Sequence, residues 1–198
     1  MIELTKTSRM SARGDSLISS ESKEEPAQLL VENIDLLLED ILPGPVLDLA
    51  CGSGRNGIYL ARMGLEVTCA DLSSEALEKA RDLAELHGVE IDLLQVDLEQ
   101  EGVNPLPPAA YGAILVFRYL HRPLIPCIKK ALRRGGLLIY ETFTIEQPRF
   151  GKPRNPDFLL RPGELVEIFE DWEVIHYFEG VKDNPTRAVA QIVCRKKA

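Results

Sequence analysis

Val46-Leu47-Asp48-Leu49-Ala50-Cys51-Gly52-Ser53-Gly54-Arg55-Asn56-Gly57 passes from an apolar run into a glycine-rich turn, and a helical pattern opens at Ile58-Tyr59-Leu60-Ala61. Such a turn lets backbone N–H groups at a helix start approach a ligand with no side chain in the way. A second strand-like run, from Glu66 to Ala70, ends on Asp71, seventeen residues after Gly54. A carboxylate there is placed to take the two hydroxyls of a ribose. The stretch predicts a nucleoside-bearing ligand at the carboxyl end of a parallel sheet.

Gly52-x-Gly54-x-x-Gly57 also fits the dinucleotide fingerprint. Asp48, four positions before the first glycine, separates the possibilities. At low dielectric a carboxylate repels a pyrophosphate and attracts a ligand carrying an ammonium and a sulfonium. Asp48 therefore favours S-adenosylmethionine over NAD or FAD. The other reading of this residue is a cap on the turn or on the helix that follows.

Asp48-x-Ala50-x-Gly52-x-Gly54 resembles motif I of the class I S-adenosylmethionine-dependent methyltransferases. The longer string Leu47 to Asn56, followed by Tyr59-Leu60-Ala61, is similar to the tellurite-resistance branch of that family. Ala50 replaces the commoner glycine, a small-for-small change. The fold-level resemblance covers roughly Ala27 to Cys194 and the branch-level one about Pro45 to Asp71. It implies a Rossmann-like α/β fold, a seven-stranded mostly parallel sheet with an antiparallel C-terminal strand and helices on both faces. In that family an acidic residue after the third strand meets the adenine amino group and its neighbour packs on the ring, positions occupied here by Asp97 and Leu98. The expected cofactor-binding set is Asp48, Ala50, Gly52, Gly54, Asn56, Asp71, Leu72, Asp97, Leu98 and Phe117.

The chain has 198 residues, of which 45% are hydrophobic and 27% charged, enough for one domain with a substantial core. Its net charge of −8 opposes non-specific attraction to nucleic-acid phosphates and favours a small-molecule partner. Cys51, Cys69, Cys127 and Cys194 show no zinc spacing. Three of them fall in or beside expected strands, as buried thiols in a reducing compartment would. No run is long and apolar enough to span a membrane, and no signal-peptide core is present. The expectation is a cytoplasmic protein without metal or nucleic-acid partner, its oligomeric state left open.

Residues 1–25 carry almost no apolar periodicity and are expected to be disordered or lid-like, with residues 26–198 as the methyltransferase domain. Leu30, Ile34, Leu37, Leu38 and Ile41 predict one leading helix between Pro26 and Pro43-Gly44-Pro45. Ser73 or Ser74 predicts the cap of a second-strand-following helix that ends at His87-Gly88. Strands are expected near Ile91–Val96, Ala113–Phe117 and Leu137–Tyr140, with a helix from about Pro123 to Arg134 stopped by Gly135-Gly136. The run Lys129, Lys130, Arg133 and Arg134 is expected to be solvated charge at that helix end. Thr144–Pro162 is a Pro-, Gly- and Arg-rich loop, expected to cover the substrate and to grip an anion through Arg149, Lys152, Arg154 or Arg161. A short helix to about Phe169 and a final hairpin, Trp172–Phe178 with Ala188–Arg195, complete the pattern.

Parallel-sheet sites lie beyond the carboxyl ends of the strands. That rule points Arg118, Tyr119 and His121, after the fourth strand, and Glu141, after the fifth, toward the transferable methyl. His121 is the first candidate for a general base because its ordinary pKa lies near neutrality, with a backbone-bonded histidine as the other reading. Glu141 is a second base or an anchor, while Arg118 and Tyr119 shape the pocket, Arg118 able to hold a carboxylate. No Asn/Asp-Pro-Pro-aromatic quartet is present, which argues against amino methylation of adenine or glutamine. The expected activity is in-line transfer of a methyl group to a thiol, amine, carboxylate or metalloid oxyanion. The alternatives are an NAD-dependent oxidoreductase, or a catalytically inactive regulatory protein that binds S-adenosylmethionine.

Overall fold

The computed structural model describes residues 25–38, 42–100, 102 and 104–197. The expected N-terminal segment therefore lies outside the described residues, apart from Glu25, as does Ile41 of the leading helix.

A seven-stranded sheet runs in the order β3-β2-β1-β4-β5-β7-β6. Its strands are β1 (Val46–Leu49), β2 (Val67–Asp71), β3 (Asp92–Gln95), β4 (Tyr111–Phe117), β5 (Leu132–Phe143), β6 (Glu173–Lys182) and β7 (Arg187–Arg195). Neighbours from β3 through β5 pair in parallel, and β7 runs antiparallel to both β5 and β6. This is the expected sheet, with one strand reversed by the closing hairpin. All residues of β1 and β4 are buried. They are continuous apolar runs because both faces of a parallel sheet are covered.

Side chains alternate between two cores. Leu47, Leu49, Ile114, Val116 and Leu138 face one side, with α5 (Ile125–Ala131) and α6 (Glu164–Ile168) packed on it through Ile128, Leu165 and Phe169. Val46, Leu115, Leu137 and Ile139 face the other, against Leu29, Leu30 and Leu60 of α1 (Gln28–Glu32) and α3 (Arg55–Arg62). The longest helix, α4 (Ser74–His87), starts where Ser73 Oγ accepts from Ala76 N at 3.2 Å and stops at Gly88 with φ +65°.

Three local expectations are corrected. The leading helix is two short ones, α1 and α2 (Asp35–Leu38), because the Asn33 side chain donates to Leu29 O at 2.8 Å. A side-chain amide competing for a helix carbonyl favours such a break. The helix after β4 ends at Ala131, so Gly135-Gly136 lies inside β5, where register shifts between Tyr111 and Ala113. The basic run is also less solvated than expected. Lys129 pairs with Asp171 at 2.8 Å, Arg133 donates to Ala109 O at 2.8 Å and to Pro43 O, and it is Lys196 that reaches the end of α5 through Lys129 O and Leu132 O.

Candidate active site

The turn after β1 is built from backbone that few side chains tolerate. Ala50, Gly52 and Gly54 have φ of +54°, +56° and +75°. A Cβ on Gly54 would come within 2.7 Å of Ala80 Cβ and Ile58 Cδ1, so α3 and α4 close on the turn only because it is glycine. At Gly52 an added Cβ meets nothing within 4 Å. Its backbone faces open space, which belongs to a cavity of about 540 Å³ walled also by Asp48, Asn56, Phe117, Arg118 and Pro185.

Asp48 is buried beneath this turn, and its Oδ2 accepts from Gly57 N at 2.9 Å. Gly57 is needed there, since a Cβ would sit 2.6 Å from Cys69 Sγ. Burial pushes the Asp48 carboxyl up to about 7, against the opposing pull of the Gly57 N–H and Arg55. The capping reading and the cavity-wall reading of Asp48 thus describe the same placement. Asp71, at the end of β2, accepts from Gly52 N and Ser73 N, both at 2.9 Å, which ties this acid to the glycine turn. Each carboxylate oxygen has two lone pairs, so acceptor capacity remains.

Other expected cofactor residues divide. Leu72 is 61% exposed beside Asp71 and offers a free apolar face. Asp97 is exposed, its Oδ1 accepting from Glu99 N at 2.9 Å. Leu98 is 7% exposed, packed with the core and lining the cavity that His121 also borders. Asn56 walls the cavity, but its Oδ1 accepts from Ala27 N at 2.8 Å, and Arg55 donates to Glu25 O at 3.0 Å. The glycine turn therefore fastens the start of the described chain.

The four expected catalytic residues are not gathered at one cavity. Arg118, exposed and with φ +58°, lines the glycine-turn cavity and a second one of about 500 Å³. A non-glycine residue in this conformation at a strand end is held there by its surroundings; here the Arg118 N–H stays in the ladder, donating to Glu141 O at 2.8 Å. Tyr119 lines the second cavity with Glu99, Phe143, Lys152 and Phe158. Its hydroxyl donates to Glu99 at 3.3 Å, and burial first, then Glu99, pushes its pKa up. His121 opens on another cavity, alongside Cys127, because the chain turns into a 3-10 segment at Arg122–Leu124. Glu141 is 4% exposed, taking a hydrogen bond from Gln191 and standing 3.7 Å from Arg187 Nη2. It sits within β5, and the cluster expected from strand order alone is thus divided.

The loop after β5 is firmly attached. Arg122 donates to both oxygens of Glu164, at 2.6 and 2.8 Å, and to Asp157 O and Leu159 O at 2.8 Å. Gln147 accepts from Ala188 N and donates to Lys152 O, both at 2.9 Å. Of the loop cations, Lys152 lines a cavity, while Arg149 and Arg161 pair with Glu146 and Glu164. Phe158, Glu99 and Pro185 were not singled out from sequence. Pro185 reaches the glycine-turn cavity from the β6–β7 turn, a long-range closure with no local signal.

A family model described as "Methyltransferase domain" matches residues 46–136. A probable S-adenosyl-L-methionine-dependent methyltransferase TehB of Haemophilus influenzae is 29% identical over 147 residues, 71% of this chain and 50% of its own. A ribosomal RNA small subunit methyltransferase C of Hamiltonella defensa is 34% identical over 166 residues, 80% of this chain and 44% of its own. The crystal structure of TehB from Haemophilus influenzae matches with a TM-score of 0.65 at 25% identity, covering 84% of this chain and 62% of that one. The chain spans about half the length of the curated relatives it matches. Fold, motif and relatives together make the chain similar to the class I S-adenosylmethionine-dependent methyltransferases. Sequence and fold are both similar to those of TehB, whose name carries S-adenosyl-L-methionine. The residues fit that group: an open face at Gly52, a buried carboxylate at Asp48, a strand-end acid at Asp71 and an exposed apolar side chain at Leu72. Among the described residues, no helix is long and apolar enough to cross a membrane.

Proposed function

We propose that this chain transfers the methyl group of S-adenosylmethionine to a small-molecule acceptor held against Arg118, Tyr119 and Phe143. The observation that carries this reading is that Arg118 walls both the glycine-turn cavity and the neighbouring one of about 500 Å³. That volume is in the usual range for a small ligand, roughly 300–1,000 Å³. A net charge of −8 also favours a small acceptor over a nucleic acid.

When bound, the cofactor supplies a methyl group already activated by its sulfonium. The chain's own residues then hold, align and shield. In this reading Asp48 faces the cofactor's cationic end, Asp71 the ribose, and Asp97 and Leu72 the base. Arg118 and Tyr119 contact the acceptor, Tyr119 through its ring, since its hydroxyl proton is given to Glu99. Glu141 is a positioning residue at the end of β5, and His121 takes no proton from the acceptor. The test is calorimetric titration with S-adenosylhomocysteine, with NAD alongside. Micromolar binding of the former alone, weakened at least about tenfold by Asp48→Asn, supports the reading. Binding of NAD alone overturns it.

A further inference from the structure

The second cavity has a composition of its own. Phe143 and Phe158 give it apolar walls, the latter 49% exposed. Two cations line it, Arg118 and Lys152, against one carboxylate, Glu99, which already accepts from the Tyr119 hydroxyl at 3.3 Å. The roots of both cations are fixed. Arg118 is locked into the β4–β5 ladder through its N–H to Glu141 O at 2.8 Å. The Lys152 carbonyl is held by Gln147, whose other end accepts from Ala188 N of β7. Apolar walls with two fixed cations match an amphipathic anion.

We propose that this cavity takes an apolar carboxylic acid, its hydrocarbon body against Phe143 and Phe158 and its carboxylate on Arg118 and Lys152, and that this carboxylate receives the methyl. The proposal rests on the methyl-transfer reading above and narrows its acceptor. Because Arg118 belongs to both cavities, the group it holds is the part of the acceptor nearest the glycine turn. A carboxylate is already ionised at neutral pH, so no base is needed, in keeping with His121 lining a different cavity and Glu141 engaged by Gln191 and Arg187. In the transfer a carboxylate lone pair forms the O–CH₃ bond, and the electron pair of the C–S bond stays on sulfur. Anion and sulfonium thereby become a neutral methyl ester and a neutral thioether, with no proton moved.

The experiment titrates the full chain with S-adenosylhomocysteine, then titrates that complex with phenylacetate and octanoate and with their neutral amides. We expect the acids to bind at least about tenfold more tightly than the amides, and Lys152→Gln to lose about tenfold in acid affinity while keeping its affinity for S-adenosylhomocysteine. Arg118→Gln, checked for folding by its melting temperature, should lose acid affinity as well. With S-adenosylmethionine supplied, a methyl ester should appear by mass spectrometry. Acids that bind no better than amides, or that bind Lys152→Gln unchanged, overturn the acid assignment and leave methyl transfer standing. Tight acid binding without ester overturns the carboxylate as acceptor. Failure to bind S-adenosylhomocysteine overturns both readings together.

Discussion

Asp48 combines two opposed demands in one side chain. Its folded-state carboxyl is raised from 3.8 to about 7 by burial, so between those values the folded protein holds a proton that the unfolded chain has released. Stability from this group therefore falls as pH rises from about 4 to 7. A cationic ligand favours the ionised form, so affinity for S-adenosylhomocysteine should rise across pH 6 to 8, and Asp48→Asn should flatten that rise in calorimetry. The same variant removes a buried charge while keeping an acceptor for Gly57 N, so its melting temperature without ligand at pH 8 should equal or exceed that of the natural chain. A fall in melting temperature would show that the carboxylate stabilises the turn on its own. The pairing of Asp48 with the glycine turn was legible because both lie in one short stretch. The bond from Ala27 N to Asn56 and the packing of Leu98 with the core were not, since those partners lie far along the chain.

Elements here are set by close backbone approaches and by a few clamps. At the start of β4, a Cβ on Gly112 would lie 2.6 Å from the backbone N of Gly44, in the segment whose Pro45 O accepts from Gly112 N at 2.8 Å. Backbone cannot swing aside as a side chain can, so Gly112→Ala should cost about 1–3 kcal/mol in urea denaturation, with the loss shared by the β1 entry. The Arg122–Glu164 clamp makes a second prediction. The Arg122 guanidinium, with smaller help from Arg161, holds Glu164 down to about 2 from 4.5. The clamp's contribution is full above about pH 5 and is lost as pH falls toward 2. Arg122→Ala, which strands a buried carboxylate, should cost roughly 2–3 kcal/mol and open residues 144–162 to limited proteolysis at neutral pH. An equally resistant loop would mean that Gln147 suffices. Strand and helix types followed from apolar periodicity, but the break at Asn33 and the early start of β5 did not. The first depends on a side-chain amide choosing a helix carbonyl, the second on pairing between Leu132 and Tyr111.

At the scale of the whole molecule, charge and topology act together. With a net charge of −8 and a cavity of about 500 Å³ beside the glycine turn, the chain should show no salt-dependent binding to RNA in filter assays at low ionic strength. Tight, salt-sensitive binding would instead favour an acceptor like that named for the ribosomal RNA methyltransferase relative. The seven-stranded, mostly parallel sheet was implied by the family resemblance, and the glycine turn lies where sites of parallel sheets lie, beyond the carboxyl end of a strand. Which strand-end side chains share a cavity did not follow, because the chain turns into the 3-10 segment Arg122–Leu124 directly after His121. Gln147 adds a consequence of a different kind. Its amide joins the loop after β5 to β7 and to Lys152, beside the Thr144 N–H to Ala188 O, while the glycine turn, Asp48 and Asp71 are held by contacts of their own. In the proposed reading this loop brings Lys152 and Phe158 to the acceptor, while Arg118, Tyr119 and Phe143 stay with the sheet. Exchanging residues 148–158 for a relative's segment, with Gln147 and Arg122 retained, should transfer acceptor preference between enzymes while the donor affinity of the recipient stays its own.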